Sequence, residues 1–120
     1  MTMSYAKPAV RSHEHLTAAV CLFRSLADPA RLAIVAQLAL GEHRVVELTE
    51  HLGLAQSTVS AHLACLRDCG LVGSRPHGRA SMFSLARPEL FDLLAAAERV
   101  LAATGDAVTL CPNYGQDARR

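Results

Sequence analysis

The chain has no tryptophan, and aromatic residues make up only 4% of its 120 residues. Aromatic platforms for stacking single-stranded nucleic acid are therefore not expected. No stretch approaches the roughly 18 uninterrupted apolar residues of a membrane-spanning helix, and the opening residues M-T-M-S-Y-A-K-P contain no apolar signal core. The sequence thus predicts a cytoplasmic protein without a membrane span or a secretion signal.

Features that mark enzymes are also missing. The sequence contains no glycine-rich phosphate loop, no paired carboxylates and no convergent set of Cys, His and Asp residues, so catalysis is not expected. The net charge of +1 is too small to indicate nucleic-acid binding by itself. Its distribution is more informative, because acidic residues dominate 41–55 whereas 56–80 contain three arginines and one aspartate.

The composition indicates one small domain that forms a homodimer. Hydrophobic residues make up 51% of the chain, which is enough for a core. A small domain buries a modest fraction of its surface, so a homodimer is expected to add stability. The four cysteines, in a reducing compartment, favour free thiols or metal ligands over structural disulfides.

Residues 55–71, A-Q-S-T-V-S-A-H-L-A-C-L-R-D-C-G-L, predict the helix around which the rest of the chain is organised. Val59, Leu63 and Leu66 recur at i, i+4 and i+7, the spacing of a helix face that packs on a core. Gly70 is placed to end the helix in the left-handed conformation. Hydrogen-bonding side chains that open the helix are candidates for contact with base edges, and they are Gln56, Ser57, Thr58 and Ser60.

The remaining segments predict a mainly α fold with a β-hairpin wing, a winged helix-turn-helix. Apolar periodicity predicts helices at 12–27, 29–40, 45–52 and 88–103, and a hairpin at 71–85. A short turn containing Gly53 joins the third helix to the organising helix, as in a helix-turn-helix. Residues 12–103 then form the DNA-binding and dimerisation domain, between a flexible arm at 1–11 and a tail at 104–120.

Two further groups of side chains are predicted to contact double-stranded DNA. Arg75, His77 and Arg79 lie near the tip of the predicted wing, a position suited to phosphate or minor-groove contact. His62 and Arg67 lie further along the organising helix. Helices one and five carry more apolar surface than one small core needs, so we expect them to form the homodimer interface and to place two recognition helices on one pseudo-palindromic operator.

Cys65 and Cys69 lie four residues apart on one helix face, with β-carbons about 5–6 Å apart. The pair is either a potential soft-metal site or two small, half-buried apolar residues. Because Cys69 falls at the negative end of the helix dipole, its free thiolate is expected to be disfavoured, which favours metal coordination over oxidation sensing. Cys21 lies next to the apolar stripe of the first helix and is predicted to be a packed core residue, with a peripheral metal ligand or a redox partner as the alternatives. Cys111 lies in a short apolar patch of the tail that suggests docking.

Three motifs together resemble the ArsR/SmtB family of bacterial winged-helix repressors. They are L-A-D-P-A-R-L-A-I-V at 26–35, S-T-V-S-A-H-L-x-x-L at 57–66, and G-L-V at 70–72 followed by a wing with Gly78-Arg79. The resemblance implies a homodimer that represses transcription by binding operator DNA. Members with a metal site on the third helix carry thiols where this chain has Arg44 and Val46, and the last helix here lacks the histidines of another known site.

The segment H-L-A-C-L-R-D-C-G-L-V is similar to the CmtR-type branch of that family, the cadmium- and lead-sensing repressors of actinobacteria. The resemblance implies that Cys65, Cys69 and a tail cysteine, Cys111, supply three thiolates, with the tail coming from the other subunit. Cd(II) or Pb(II) is then the expected inducer, and Zn(II) and As(III) are the competing ions. Two other hypotheses stay open: a thiol or persulfide sensor on the same fold, and a metal-independent interaction protein.

Overall fold

A computed structural model describes residues 13–110 of the chain, with side chains from Leu16 onward. This part contains five helices and one hairpin: α1 (His13–Ala27), α2 (Pro29–Leu38), α3 (Val45–Leu52), α4 (Gln56–Asp68), β1 (Val72–His77), β2 (Ala80–Leu85) and α5 (Glu89–Ala103). The predicted winged helix-turn-helix is confirmed, and α2 ends at Leu38 rather than at residue 40. The predicted arm at 1–11 and Cys111 lie outside the described residues.

Local signals set the helix boundaries. The Asp28 carboxylate caps α2 by accepting a hydrogen bond of 3.0 Å from the backbone N–H of Arg31, and Pro29 opens the helix. Accepting this bond lowers the pKa of the Asp28 carboxyl. Gly53 ends α3 with φ 68°, and Gly70 follows α4 with φ 79°, so both turns use the left-handed conformation that glycine permits.

The apolar face of α4 forms the centre of the core. Val59, Leu63 and Leu66 are 0%, 1% and 0% exposed, as their spacing predicts. They join buried side chains of α2, α3 and α5 in one hydrophobic cluster, which includes Ile34, Val35, Leu38, Leu48, Leu90 and Leu94. Packing from three helices therefore fixes the orientation of α4, and with it the side chains on its outer surface.

The hairpin is attached to the core at its base. β1 and β2 pair antiparallel from Val72↔Leu85 to His77↔Ala80, and Phe83 of β2 is buried. The backbones of Phe83 and His43 exchange two hydrogen bonds of 2.8 and 3.0 Å. The wing is thereby connected to the segment that precedes α3, while its tip extends away from the core.

The outer faces of α1 and α5 are apolar and exposed. Val20, Phe23 and Val100 are 46%, 59% and 62% exposed in the single subunit. Leu22 and Leu26 of the same helix α1 pack against the core. The two terminal helices thus have surplus apolar surface, as the sequence predicts. None of the helices within 13–110 is long and apolar enough to cross a membrane.

Candidate metal centre and nucleic-acid interface

The first turns of α4 present polar side chains on the surface. Gln56, Ser57 and Ser60 are exposed and Thr58 is half-buried. The residue that caps the helix, Ala55, makes no side-chain capping bond, so these side chains flank backbone N–H groups at the positive end of the helix dipole. Such an end suits phosphate and base contacts, the role predicted for these residues.

The two remaining candidates on α4 differ in exposure. His62 is half-buried, and its Nε2 lies 3.8 Å from Oδ2 of Asp28, the residue that caps α2. Arg67 is exposed in the last turn of the helix. His62 is therefore oriented toward a neighbouring helix, whereas Arg67 faces solvent.

Of the three basic residues predicted near the tip of the wing, Arg75, His77 and Arg79, the structure places only two at the tip. His77 and Arg79 are exposed on either side of Gly78, which turns the hairpin with φ 63°. Arg75 lies further down the strand, where its Nε and Nη2 donate hydrogen bonds of 2.8 Å to the two carboxylate oxygens of Glu42. This paired geometry lowers the pKa of the Glu42 carboxyl. The Arg75 guanidinium is therefore engaged within the protein, while Arg79 lies at the tip.

The prediction that Cys21 is a packed core residue is wrong. Cys21 is exposed, and its Sγ lies 3.1 Å from Sγ of Cys69, across the packing of α1 against the end of α4. The buried Ser25, one helical turn after Cys21, has its Oγ 3.2 Å from the same Cys69 sulfur. Cys65 and Cys69 themselves are half-buried, which agrees with their predicted position beside the core face.

The thiol of Cys69 is more acidic than an ordinary cysteine. Hydrogen bonds from Ser25 and then Cys21 lower the pKa of Cys69, and the shared contact with Cys69 raises the pKa of Cys21. The expectation from helix polarity, that a Cys69 thiolate is disfavoured, does not include these hydrogen bonds, which act on the pKa in the opposite direction. Helix polarity does not separate metal coordination from oxidation here.

Cys21, Cys65 and Cys69 line one cleft of about 630 Å³ between α1 and the C-terminal part of α4. Two arginines, Arg24 and Arg31, also line it and favour negatively charged thiolates. The donor chemistry fits soft metal ions. Among residues 13–110, however, no three His, Cys, Asp or Glu side chains already form a metal-binding group. The predicted third ligand, Cys111, lies outside these residues.

Sequence reasoning identified two of these three thiols and missed the position of the third. Cys21 and Ser25 lie four residues apart, so they share one face of α1, and this face contacts the end of α4. The sequence feature that could have indicated this contact is a cysteine and a serine spaced one helical turn apart, beside the apolar stripe of α1. What the sequence could not provide was the partner helix against which the pair packs.

The model for the family described as bacterial regulatory protein, arsR family, matches residues 28–74. A probable mercury resistance operon repressor from Streptomyces lividans is 43% identical over 89 residues, which cover 74% of this chain and 70% of that protein. HlyU from Vibrio cholerae is similar in structure, with a TM-score of 0.67 and 32% identity over 76% of this chain and 99% of that one. The NMR structure of the cadmium metal-sensor CMTR from Mycobacterium tuberculosis gives a TM-score of 0.57 and 43% identity over 64% of this chain and 80% of that one.

Proposed function

We propose that soft metal ions are the inducers of this chain, which belongs to the ArsR family of bacterial regulatory proteins. As a member of that family, it is a DNA-binding transcriptional repressor rather than an enzyme. Cd(II) and Pb(II) are the proposed ions, with Cys65, Cys69 and Cys111 as thiolate ligands. The observation that carries the proposal is the position of the thiol cleft at the C-terminal end of α4, the helix whose other end carries the predicted base contacts.

The choice of ion follows from the donor atoms. Thiolate sulfur is a soft ligand and selects large, polarisable ions over hard ones such as Mg(II) or Ca(II). A structure similar to this chain is that of a cadmium metal-sensor, and a similar sequence is that of a probable mercury resistance repressor. Zn(II), As(III) and Hg(II) are therefore the competing inducers.

The repressor is proposed to act as a homodimer that buries the outer faces of α1 and α5. Val20, Phe23 and Val100 are each close to half exposed or more in the single subunit, and a second copy removes this apolar surface from water. A two-fold axis places two α4 helices on successive major grooves of an operator. Since a repressor acts on operator DNA inside the bacterial cell, the proposal places the protein in the cytoplasm.

The proposed mechanism restrains the end of the recognition helix. A soft ion, when bound, supplies coordination bonds that hold its thiolate ligands together. Cys69 follows the last residue of α4 directly, and Ser25 of α1 holds its sulfur through a hydrogen bond. A restraint on Cys69 therefore acts on α4 from the dimerisation helix, and a coupling of about 1–3 kcal/mol between the two sites is enough to release DNA.

The test is an anaerobic titration of reduced, metal-free protein with Pb(II) and Cd(II), followed through the ultraviolet charge-transfer bands of metal-bound thiolates. We expect intense bands that saturate at one ion per subunit and that weaken in Cys65→Ser and Cys111→Ser. Hg(II), Zn(II) and As(III) are titrated in parallel. Bands that neither substitution alters would overturn the proposed ligand set.

A thiol-oxidation sensor is the second candidate function, because the Sγ atoms of Cys21 and Cys69 are already 3.1 Å apart. Oxidation by hydrogen peroxide would join the two sulfurs in a disulfide: the two thiols lose two hydrogens, and the peroxide is reduced to two waters. Intact mass before and after peroxide, without metal, separates the functions. Release of DNA by peroxide but not by metal would favour this candidate over the first.

The wing gives a separate prediction about DNA. Arg79→Ala is expected to weaken operator binding for every sequence alike and to make the slope of log affinity against log salt shallower by about 2 for a dimer, since each lost phosphate contact contributes about 0.9. Fluorescence anisotropy at several salt concentrations measures this slope. Arg75→Ala is the matched comparison, and a smaller loss is expected because Arg75 is bound to Glu42. A larger loss for Arg75 would contradict the assignment.

A further inference from the structure

Glu42, in the turn between α2 and α3, connects this turn to the first strand of the wing through its ion pair with Arg75. We propose that Glu42 is a positioning residue for DNA binding, which holds the wing at a fixed angle to the recognition helix α4 without itself contacting DNA. Arg75 then serves as the attachment point of the wing, in place of the phosphate contact predicted for it. The inference is independent of the inducer and rests on the DNA contact proposed for Arg79.

The geometry of the ion pair is the first argument. Nε and Nη2 of Arg75 each donate a hydrogen bond of 2.8 Å to a different carboxylate oxygen of Glu42. Two parallel bonds restrict the relative orientation of the two planar groups, whereas a single bond would allow rotation. Because an exposed ion pair contributes little to the free energy of unfolding, orientation is the property that this pair is suited to control.

The residue that follows Glu42 is attached to the other strand of the wing. The backbones of His43 and Phe83 exchange two hydrogen bonds, and Phe83 is buried. Arg75 lies on β1 and Phe83 on β2, so two consecutive residues of the turn hold both strands. β1 is exposed from Ser74 onward, and the ion pair therefore extends the attachment beyond the buried base, toward the tip.

The same turn leads directly into the helix-turn-helix. The backbone N–H of Arg44 donates a hydrogen bond of 2.8 Å to Oε1 of Glu47, which fixes the start of α3. Leu48 of α3 and Val59 of α4 are both 0% exposed and belong to one core cluster. The turn is thus held relative to α4, and a wing attached to it is already ordered before DNA binds. Such an arrangement lowers the entropic cost of binding.

The experiment measures binding to a labelled duplex that the parent protein has selected from a random-sequence pool, by anisotropy at several salt concentrations. Glu42→Ala is expected to weaken binding about three- to tenfold, because each subunit of the dimer loses one charge-assisted pair. Electrostatics alone predicts the opposite, since removal of an acidic side chain near DNA strengthens binding. The slope of log affinity against log salt should change by less than about 0.5, because no phosphate contact is lost.

Glu50→Ala is the matched control, because Glu50 is an exposed acidic residue on the adjacent helix α3. Its removal is expected to leave binding unchanged or to strengthen it slightly. The double variant Glu42→Arg with Arg75→Glu keeps the net charge and can rebuild the pair with its partners exchanged. We expect it to bind within about twofold of the parent, because the two effects are coupled rather than additive.

The outcomes distinguish the positioning role from the wing contact on which it rests. Tighter binding by Glu42→Ala with a steeper salt slope would overturn the inference, because Glu42 would then withhold Arg75 from a phosphate. Equal weakening in Glu50→Ala, or a double variant as weak as Glu42→Ala, would also contradict it. Unchanged binding by Glu42→Ala, while Arg79→Ala still weakens binding, removes the positioning role alone. If Arg79→Ala has no effect either, the proposed wing contact fails together with this inference.

Discussion

Cys69→Ser is expected to leave operator binding by the metal-free protein within about threefold of the parent and to abolish release of DNA by Cd(II) or Pb(II). Loss of an outer partner of a metal ligand costs about 10–100-fold in metal affinity, so loss of a ligand is expected to cost more than about 100-fold. Serine is close in size to cysteine and keeps a hydrogen-bonding group beside Ser25. The fold and the start of α4, where DNA contact is proposed, are therefore expected to persist.

The measurement is anisotropy of a labelled operator with and without one equivalent of metal per subunit. The parent is expected to lose about 5–150-fold in operator affinity on binding metal, whereas Cys69→Ser should show no change. Ser25→Ala is the graded comparison: it removes the hydrogen bond to Cys69 but keeps the thiol, so it should weaken metal-driven release without abolishing it. Metal-driven release that persists undiminished in Cys69→Ser places the sensing site elsewhere in the protein.

The fold was predictable because its signals are local. Asp28-Pro29 opens α2 through one side-chain cap and one fixed φ angle, and Gly70 ends α4 with a positive φ. The spacing of Val59, Leu63 and Leu66 identified the buried face of α4 without knowledge of its partners. In each case, the physical cause lies within a few residues of its effect, so a single sequence contains it.

The candidate site was predictable only in part, because two of its features depend on contacts distant in sequence. Cys21 and Cys69 are 48 positions apart, and Arg75 and Glu42 are 33 apart. The pattern of α1 showed that Cys21 lies beside an apolar stripe, but not which helix covers it. The pKa of Cys69 depends on the same distant contacts, and an argument from the dipole of α4 alone does not include them.

Phe23→Glu is expected to convert the repressor into a monomer and to lower its operator affinity by about 10²–10⁴-fold. Phe23 is 59% exposed, so the single subunit tolerates a charge there, whereas a dimer interface would have to bury two unpaired carboxylates. Two linked recognition helices bind one operator far more tightly than either alone, and this gain is lost when the subunits separate. Sedimentation velocity gives the mass, and anisotropy gives the affinity.

Leu40→Glu is the matched control for Phe23→Glu, because Leu40 is 44% exposed and lies outside both α1 and α5. It should remain dimeric and keep its operator affinity. The monomeric variant also tests the origin of the third ligand. If Cys111 of the partner subunit binds the ion, monomerisation should weaken the thiolate charge-transfer bands, since one subunit then retains Cys65 and Cys69 without it. A Phe23→Glu protein that stays dimeric would show that the outer face of α1 is not the interface.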